Sequence, residues 1–144
     1  MEYKCPICER EPGSHSLKKI HSQNEVIVYY TCPAEASKYY DNEGICNHYD
    51  GEFSTIPENN LWMWVFDCSG FEFKHVCEYQ VGLDLANLIT KKYSDNLQKI
   101  CIINPNWYIY LLLSIMWPLI DDKIKSKILY DPNFKFIFQD VPVK

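Results

Sequence analysis

The sequence contains little positive charge. Arginine occurs once, at Arg10, and the 144 residues carry a formal net charge of −5. Because binding to a nucleic-acid backbone needs clustered lysine and arginine, we expect no nucleic-acid partner. Lys123, Lys125 and Lys127 form only a short basic strip, which predicts a peripheral contact with a membrane surface at most.

Motifs of the common enzyme classes are also missing. The sequence has neither a glycine-rich phosphate loop nor a Gly-x-Ser-x-Gly elbow, and no pair of carboxylates shares a recognisable helix face. Cys68 or Cys77 beside His75 offers a nucleophile pair, but isolated cysteine and histidine neighbours are common. We therefore predict a protein that is not an enzyme, and a cysteine-dependent redox or hydrolytic enzyme is the third hypothesis.

The N-terminal stretch lacks the apolar region of a secretory signal. The seven cysteines are an odd number that does not suit a disulfide framework, so we expect a reducing compartment and a cytoplasmic location. The length fits one domain, and 47% hydrophobic with 23% charged residues is typical of an ordered globular protein. Aromatic residues make up 15% of the chain, which indicates a heavy core or an apolar ligand.

Residues 61–130 alternate between short apolar runs and helical patterns. Leu61–Phe66, Ile100–Ile103 and Lys127–Tyr130 are predicted strands, and the first is apolar on both alternating faces, as in a strand covered on both sides. Helical spacing extends over His75–Lys92 and Trp107–Trp117. Strands that alternate with helices of this length predict crossover units, a mostly parallel sheet and hence an α/β fold.

One apolar stretch is almost long enough to be a transmembrane helix. Ile100–Ile120 has about the length that a bilayer span needs. However, Asn104-Pro105-Asn106 interrupts it near its start and Pro118 near its end. We therefore interpret the stretch as strand, turn and helix.

Several short motifs follow one another in the second half of the chain. They are Asp67-x-x-Gly70, a helix that ends in Tyr93, Ile102-Ile103-Asn104-Pro105, an aromatic-rich helix, Pro118-Leu119-Ile120-Asp121 and Lys127-Ile128. This order resembles the CRAL-TRIO lipid-binding domain, which is the domain of phosphatidylinositol-transfer and of retinoid- and tocopherol-binding proteins. The resemblance implies an α/β fold that binds, and in some members transfers, a lipid.

The sequence departs from that family's pattern at several places. The usual Tyr-Pro-Glu is Tyr93-Ser94-Asp95 here, and the common Asn-Ala-Pro is Asn104-Pro105-Asn106. The helical lobe that normally precedes the domain and the Gly-Gly segment that normally follows it are not found in the sequence. We therefore expect a compact version that is similar to those predicted in large DNA viruses, with a location in the host cytoplasm.

The resemblance also implies where a ligand binds. In the family the sheet is the floor of an apolar cavity, and the helix after the Asn-Pro strand is a movable gate, here Trp107–Ile120. The ligand-binding residues expected on this basis are Trp62, Trp64, Phe66, Ile102, Trp107, Tyr110, Leu111 and Ile115.

The composition of the gate segment supports this expectation independently. From Leu111 to Trp117 only Ser114 is polar, and a helix that is apolar on all sides is buried, embedded in lipid or covering an apolar ligand. We predict that a hydrophobic ligand such as a phospholipid binds between the sheet and this helix. In one alternative, the tail residues Phe134–Phe138 close an ordinary core. In another, the domain is a protein-interaction module with a collapsed cavity and a structural zinc.

Cys5-Pro6-Ile7-Cys8 is the strongest local motif of the N-terminal stretch. A C-x-x-C turn lets two thiolates bind one tetrahedral Zn²⁺ at about 2.3 Å. His15 follows after a short loop and Cys32 follows a predicted strand. The metal ligands that we favour are Cys5, Cys8, His15 and Cys32, with Cys46 and His48 as substitutes. A redox pair and two ordinary free cysteines are the competing interpretations. A zinc here would be structural, because the segment has too few apolar residues to fold by itself.

The remaining elements follow from composition. Residues 1–24 are polar and rich in turns, and we assign them to a zinc-knuckle-like segment that packs on a domain formed by residues 25–144. Val26–Thr31 is a predicted strand, and residues 34–50 predict one or two short helical turns. The tail Asp131–Lys144 predicts an edge strand or a packed cover.

Overall fold

A five-stranded sheet forms the centre of the protein in the computed structural model, which describes residues 2–130. Its strands are β1 (Lys18–Gln23), β2 (Val26–Thr31), β3 (Leu61–Asp67), β4 (Leu97–Ile103) and β5 (Ile128–Tyr130). They lie side by side in chain order. β1 and β2 form an antiparallel hairpin, whereas β2 to β5 are parallel. The prediction of an α/β fold with a mostly parallel sheet is confirmed, and the tail predicted as an edge strand or cover lies outside the described residues.

Within the described residues, six helices connect and flank the strands. They are α1 (Pro6–Arg10), α2 (Asn42–Phe53), α3 (Phe73–Val76), α4 (Tyr79–Lys92), α5 (Trp107–Met116) and α6 (Asp122–Lys125), with 3-10 turns at Pro33–Glu35 and Trp117–Leu119. Across residues 2–130, no helix combines the length and the apolar character needed to cross a membrane. The interpretation of Ile100–Ile120 as strand, turn and helix is confirmed.

The long helices pack against one face of the sheet. Right-handed crossovers between neighbouring parallel strands return on the same side each time, which places α2, α4 and α5 together. The main core joins sheet residues to helix residues, among them Tyr29, Trp62, Trp64, Ile102, Phe53, Ile89, Ile109 and Leu112. A smaller buried cluster on the opposite face contains Val28, Met63, Val65, Cys101 and Ile103.

The structure differs from the local expectations at three places. Residues 1–24 contain a strand, β1, because its polar sequence suits a sheet edge that presents most side chains to water. The helical turns expected in 34–50 are one longer helix, α2, which begins after the N-cap Asp41 and ends at Phe53. The helix expected over His75–Lys92 is divided in two: the short helix α3 begins earlier, after the N-cap Glu72, and ends at Val76, and α4 begins after Glu78.

Asp67 joins the ends of three strands at the carboxyl edge of the sheet. Its carboxylate accepts hydrogen bonds from Tyr30 Oη at 2.5 Å, from the Ser69 amide at 2.9 Å and from Asn104 Nδ2 at 3.0 Å. Asn104 has a φ of +49°, a left-handed conformation that asparagine adopts more readily than most residues. Burial opposes ionisation of Asp67, but the hydrogen bonds from Asn104, Tyr30 and Ser69 outweigh it and hold its pKa below the usual value.

We expect Asp67→Asn to lower the free energy of unfolding at neutral pH by about 1–3 kcal/mol, because hydrogen bonds to a charged acceptor are lost or weakened. Chemical denaturation measures this difference. Asp95→Asn, at an exposed position, is the matched control and should change the value by less than about 0.5 kcal/mol.

The same variant predicts a pH dependence. Because the pKa of Asp67 is lowered in the folded protein, its stabilisation is complete above the unfolded-state pKa of about 3.9 and is lost as the pH falls through the folded-state value. The difference in stability between the wild type and Asp67→Asn should therefore shrink below about pH 4. An undiminished difference at still lower pH would contradict the assigned role of the carboxylate.

Candidate functional site

Two small apolar cavities lie between the sheet and the helices. The first, which we name the α5 cavity, has a volume of about 100 Å³. Its walls come from strands β3, β4 and β5 and from helices α4, α5 and α6, and include Trp64, Phe66, Ile100, Ile102, Ile128, Leu85, Ala86, Ile89, Ile109, Leu112, Leu113, Met116 and Ile124. This is the layer between sheet and helix in which the sequence predicts a ligand.

The second cavity, which we name the α2 cavity, has a volume of about 90 Å³ and lies beside the first. Residues near α2 and α3 form its walls, among them Ser16, Thr31, Ile45, Tyr49, Phe71 and His75. The two cavities share four lining residues, which are Phe66, Gly82, Leu85 and Leu112. The two cavities therefore adjoin at these residues.

The residues predicted to form the floor of the ligand cavity lie in two different parts of the core. Trp64, Phe66 and Ile102 line the α5 cavity. Trp62 lies at the other end of the strand, where its ring packs against Phe53 with 4.5 Å between centroids and its Nε1 donates to the Tyr93 carbonyl at 3.0 Å. Trp62 is thus a core residue of the α2 side and does not line the α5 cavity.

The predicted gate residues lie mainly on the outer side of α5. Trp107, Tyr110 and Ile115 are 60%, 47% and 40% exposed, and Leu111 is half-buried. None of the four lines the α5 cavity. The residues that do so, and that sequence reasoning missed, are Ile109, Leu112, Leu113 and Met116. Their spacing of three and four residues is the helical signal that identifies this inner side.

Four side chains near the N-terminus form a second candidate site, which we name the metal cluster: Cys5, Cys8, His15 and His48. Their ligand atoms all lie within 4.8 Å of one another, and the group can hold a metal ion. His15 Nδ1 is 3.7 Å from Cys5 Sγ, 3.6 Å from Cys8 Sγ and 3.2 Å from His48 Nδ1, and Cys8 Sγ is 3.7 Å from His48 Nδ1.

These separations match a tetrahedral centre. Metal–sulfur bonds of about 2.3 Å and metal–nitrogen bonds of about 2.0–2.1 Å, arranged tetrahedrally, place sulfur about 3.6 Å from nitrogen and two nitrogens about 3.3 Å apart. The observed distances lie within about 0.2 Å of these values for every sulfur–nitrogen and nitrogen–nitrogen pair given above.

Asp41 orients one ligand of the metal cluster. Its Oδ2 lies 2.9 Å from His15 Nε2, so this nitrogen donates the hydrogen bond and Nδ1 presents its lone pair to the cluster. The same carboxylate caps α2 by accepting from the Gly44 amide at 3.1 Å. Gly44 is required there, because a Cβ at this position would lie 2.0 Å from Asp41 Oδ2 and 2.8 Å from Ile7 Cδ1.

His48 and Asp41 are in the protonation states that metal binding needs, whereas the Cys8 thiol would have to release its proton to a metal ion. Burial, with a smaller contribution from nearby His15, lowers the pKa of His48 to about 4, so its imidazole is neutral at physiological pH. Burial raises the pKa of the Cys8 thiol, and the neighbouring Cys5 adds to this. The hydrogen bond with His15 lowers the pKa of Asp41, which keeps the orienting carboxylate charged.

Cys32, the fourth ligand favoured from the sequence, lies elsewhere. Its Sγ donates to the Ser69 carbonyl at 3.5 Å, beside the carboxyl edge of the sheet. His48 lies with Cys5, Cys8 and His15 because it projects from α2. The sequence predicts only short helical turns in this part of the chain. Among the substitutes, Cys46 is also outside the cluster, and its Sγ donates to Asn42 Oδ1.

Comparison with known proteins identifies the fold. A profile of the CRAL/TRIO domain matches residues 3–143. The structure is similar to the crystal structure of Sfh5, with a TM-score of 0.66 and 11% sequence identity. The match covers 97% of this chain and 53% of the Sfh5 chain, so the protein spans about half the length of that relative. Curated protein sequences give no match. Because the domain profile extends over nearly the whole sequence, the chain belongs to the CRAL/TRIO domain family.

Proposed function

We propose that the protein binds, and can transfer, a hydrophobic ligand such as a phospholipid between the sheet and helix α5. The observation that carries this proposal is an apolar cavity beneath a helix that is apolar on both sides. The inner residues Ile109, Leu112 and Met116 are buried over the cavity, while Trp107 and Tyr110 on the outer side are exposed. Membership of the CRAL/TRIO family supports lipid binding in general.

Ligand entry requires a conformational change. Pockets for small molecules usually measure about 300–1,000 Å³, whereas the α5 and α2 cavities measure about 100 and 90 Å³. Movement of α5 away from the sheet would enlarge the α5 cavity, and rotation of the shared Phe66 and Leu112 side chains would join the two. The gain in free energy would come from apolar surface removed from water, at about 25 cal/mol per Å².

Helix α5 has defined ends about which it can move. It begins after Asn106, whose side chain accepts from the amides of Tyr108 and Ile109, and it ends at Met116, where the 3-10 turn Trp117–Leu119 with Pro118 follows. The left-handed residue Asn104 precedes it. We propose that this helix is the gate, and that the exposed rings of Trp107 and Tyr110 make a peripheral membrane contact when it opens.

We propose that the metal cluster holds a structural zinc ion. Two thiolates and two imidazoles at tetrahedral spacing are a ligand set that suits Zn²⁺, and four protein ligands leave no open position for a substrate. Because thiolate ligands persist in reducing compartments, the cluster also supports a cytoplasmic location. The viral source stays a prediction.

Filling the α5 cavity should prevent ligand binding. We expect Ala86→Phe, which introduces a ring into the cavity wall, to weaken binding of a fluorescent fatty-acid probe at least tenfold. Asn87→Phe, at the next and exposed position, is the matched control and should bind the probe like the wild type. Fluorescence titration measures both affinities, and circular dichroism confirms that both variants are folded.

The outcomes of this titration separate the candidate functions. Equal probe affinity for the two variants would place the ligand outside the α5 cavity. If the folded wild type binds neither the probe nor phospholipid extracted from cells, the lipid proposal fails. The result would then favour the other function class, a protein-interaction module with a collapsed cavity.

The zinc assignment predicts which cysteines matter. Elemental analysis of the purified protein should give one zinc per chain, and both Cys8→Ser and His48→Ala should reduce this content sharply because each removes a ligand. Cys32→Ser and Cys46→Ser are the controls and should retain the zinc. If Cys32→Ser lost the zinc and His48→Ala retained it, the fourth ligand would be Cys32, as favoured from the sequence, and not His48.

A further inference from the structure

The metal cluster and the α2 cavity are built from the same two pieces of chain. His15 belongs to the cluster, and the next residue, Ser16, lines the cavity. His48 belongs to the cluster, and the next residue, Tyr49, lines the same cavity. At both places, a candidate metal ligand and a residue of the cavity wall are consecutive in the chain.

A chain of buried hydrogen bonds connects these two pieces to the sheet. Trp64 Nε1 donates to Thr31 Oγ1 at 2.9 Å, Thr31 Oγ1 pairs with Tyr49 Oη at 3.0 Å, and Tyr49 Oη donates to the Ser16 carbonyl at 2.5 Å. Each hydroxyl can donate once and accept once along this direction, so the chain is fully satisfied. All four residues are buried, and all four line one or both of the cavities.

Few side chains of the segment that precedes Ser16 are buried. Within residues 2–17, the buried residues are Cys5, Ser14, His15 and Ser16, and α1 has no buried residue. Outside the metal cluster, the segment is attached by the hydrogen bond between His15 and Asp41, by the approach of Tyr3 and Ile7 to α2, by backbone hydrogen bonds to Gly13 and Ser14, by the bond between Ser16 Oγ and the Cys32 amide, and by an exposed ion pair. A segment with so little apolar burial depends on its metal for order.

We propose that metal binding at the cluster and ligand binding in the cavities are positively coupled through the Tyr49–Ser16 hydrogen bond. The proposal rests on the proposed function. With metal bound, the segment of Ser16 closes one end of the α2 cavity. Without metal, that segment is released, water reaches this end of the cavity, and the affinity for an apolar ligand falls. Since coupling is reciprocal, a bound ligand must raise the metal affinity by the same factor.

The experiment measures the affinity of a fluorescent fatty-acid probe for the protein with one equivalent of zinc and for the same protein after chelation. We expect the affinity to be at least tenfold higher with zinc. The zinc affinity, measured by competition with a chromophoric chelator, should rise by the same factor when the probe is saturating. Circular dichroism checks that the sheet and helices persist after chelation.

The variant Tyr49→Phe tests the coupling separately in case chelation also destabilises the fold. The variant retains all four metal ligands and removes only the hydroxyl that joins Ser16 to Thr31. We expect the ratio of probe affinities with and without zinc to fall to within about twofold of unity. Tyr29→Phe is the matched control. Tyr29 is also a fully buried tyrosine on the same face of the sheet, but its hydroxyl contacts the Glu52 carbonyl. This variant should keep the wild-type ratio of probe affinities.

Each outcome has a defined meaning. Equal probe affinity with and without zinc overturns the coupling and leaves the proposed function intact. No probe binding in either state overturns the proposed function and the coupling with it. A wild-type ratio in Tyr49→Phe overturns the assigned route, because the hydrogen bond to Ser16 would then carry no coupling.

Discussion

The parallel pairing of consecutive strands constrains the rest of this structure. Because right-handed crossovers return on the same side of the sheet, α2, α4 and α5 must share one face, and the aromatic residues of β2 and β3 pack beneath them. Among the described helices, α5 lies at the end of this layer beside α4. It contacts α3 as well as α4, and the α5 cavity lies beneath it.

The apolar strands could be predicted because their signal is local. Leu61–Phe66 and Val26–Thr31 are short, apolar and bounded by turns, and both are strands. The polar strand β1 has no such signal, since its place in the sheet depends on pairing with β2. The start of α3 depends on a side-chain contact between His75 and the Glu72 amide, which residue spacing does not encode.

In the candidate sites too, contacts between residues that are close in sequence could be predicted, whereas contacts that depend on the packing of distant segments could not. Cys5 and Cys8 are associated by their C-x-x-C spacing, and His15 by the short loop that follows Cys8, because all three are close in sequence. His48 comes from a helix 33 residues after His15, and only the packing of α2 brings the two rings together. For α5, the predicted ligand-binding residues include the aromatic Trp107 and Tyr110, which lie on the outer side. Because the helix is apolar all round, it has no polar stripe that indicates which side faces the sheet.

The close approach of the N-terminal segment to α2 has a consequence for how that helix forms. Gly44 lies against Asp41 and Ile7, and Gly51, two turns later, lies against the Tyr3 ring, where a Cβ would be 2.2 Å away. Each glycine lowers the intrinsic helix propensity by about 1 kcal/mol relative to alanine. Helix α2 therefore gains its order from contacts that form only when distant parts of the chain have assembled. It should belong to the late-forming parts of the fold, after the hairpin of β1 and β2.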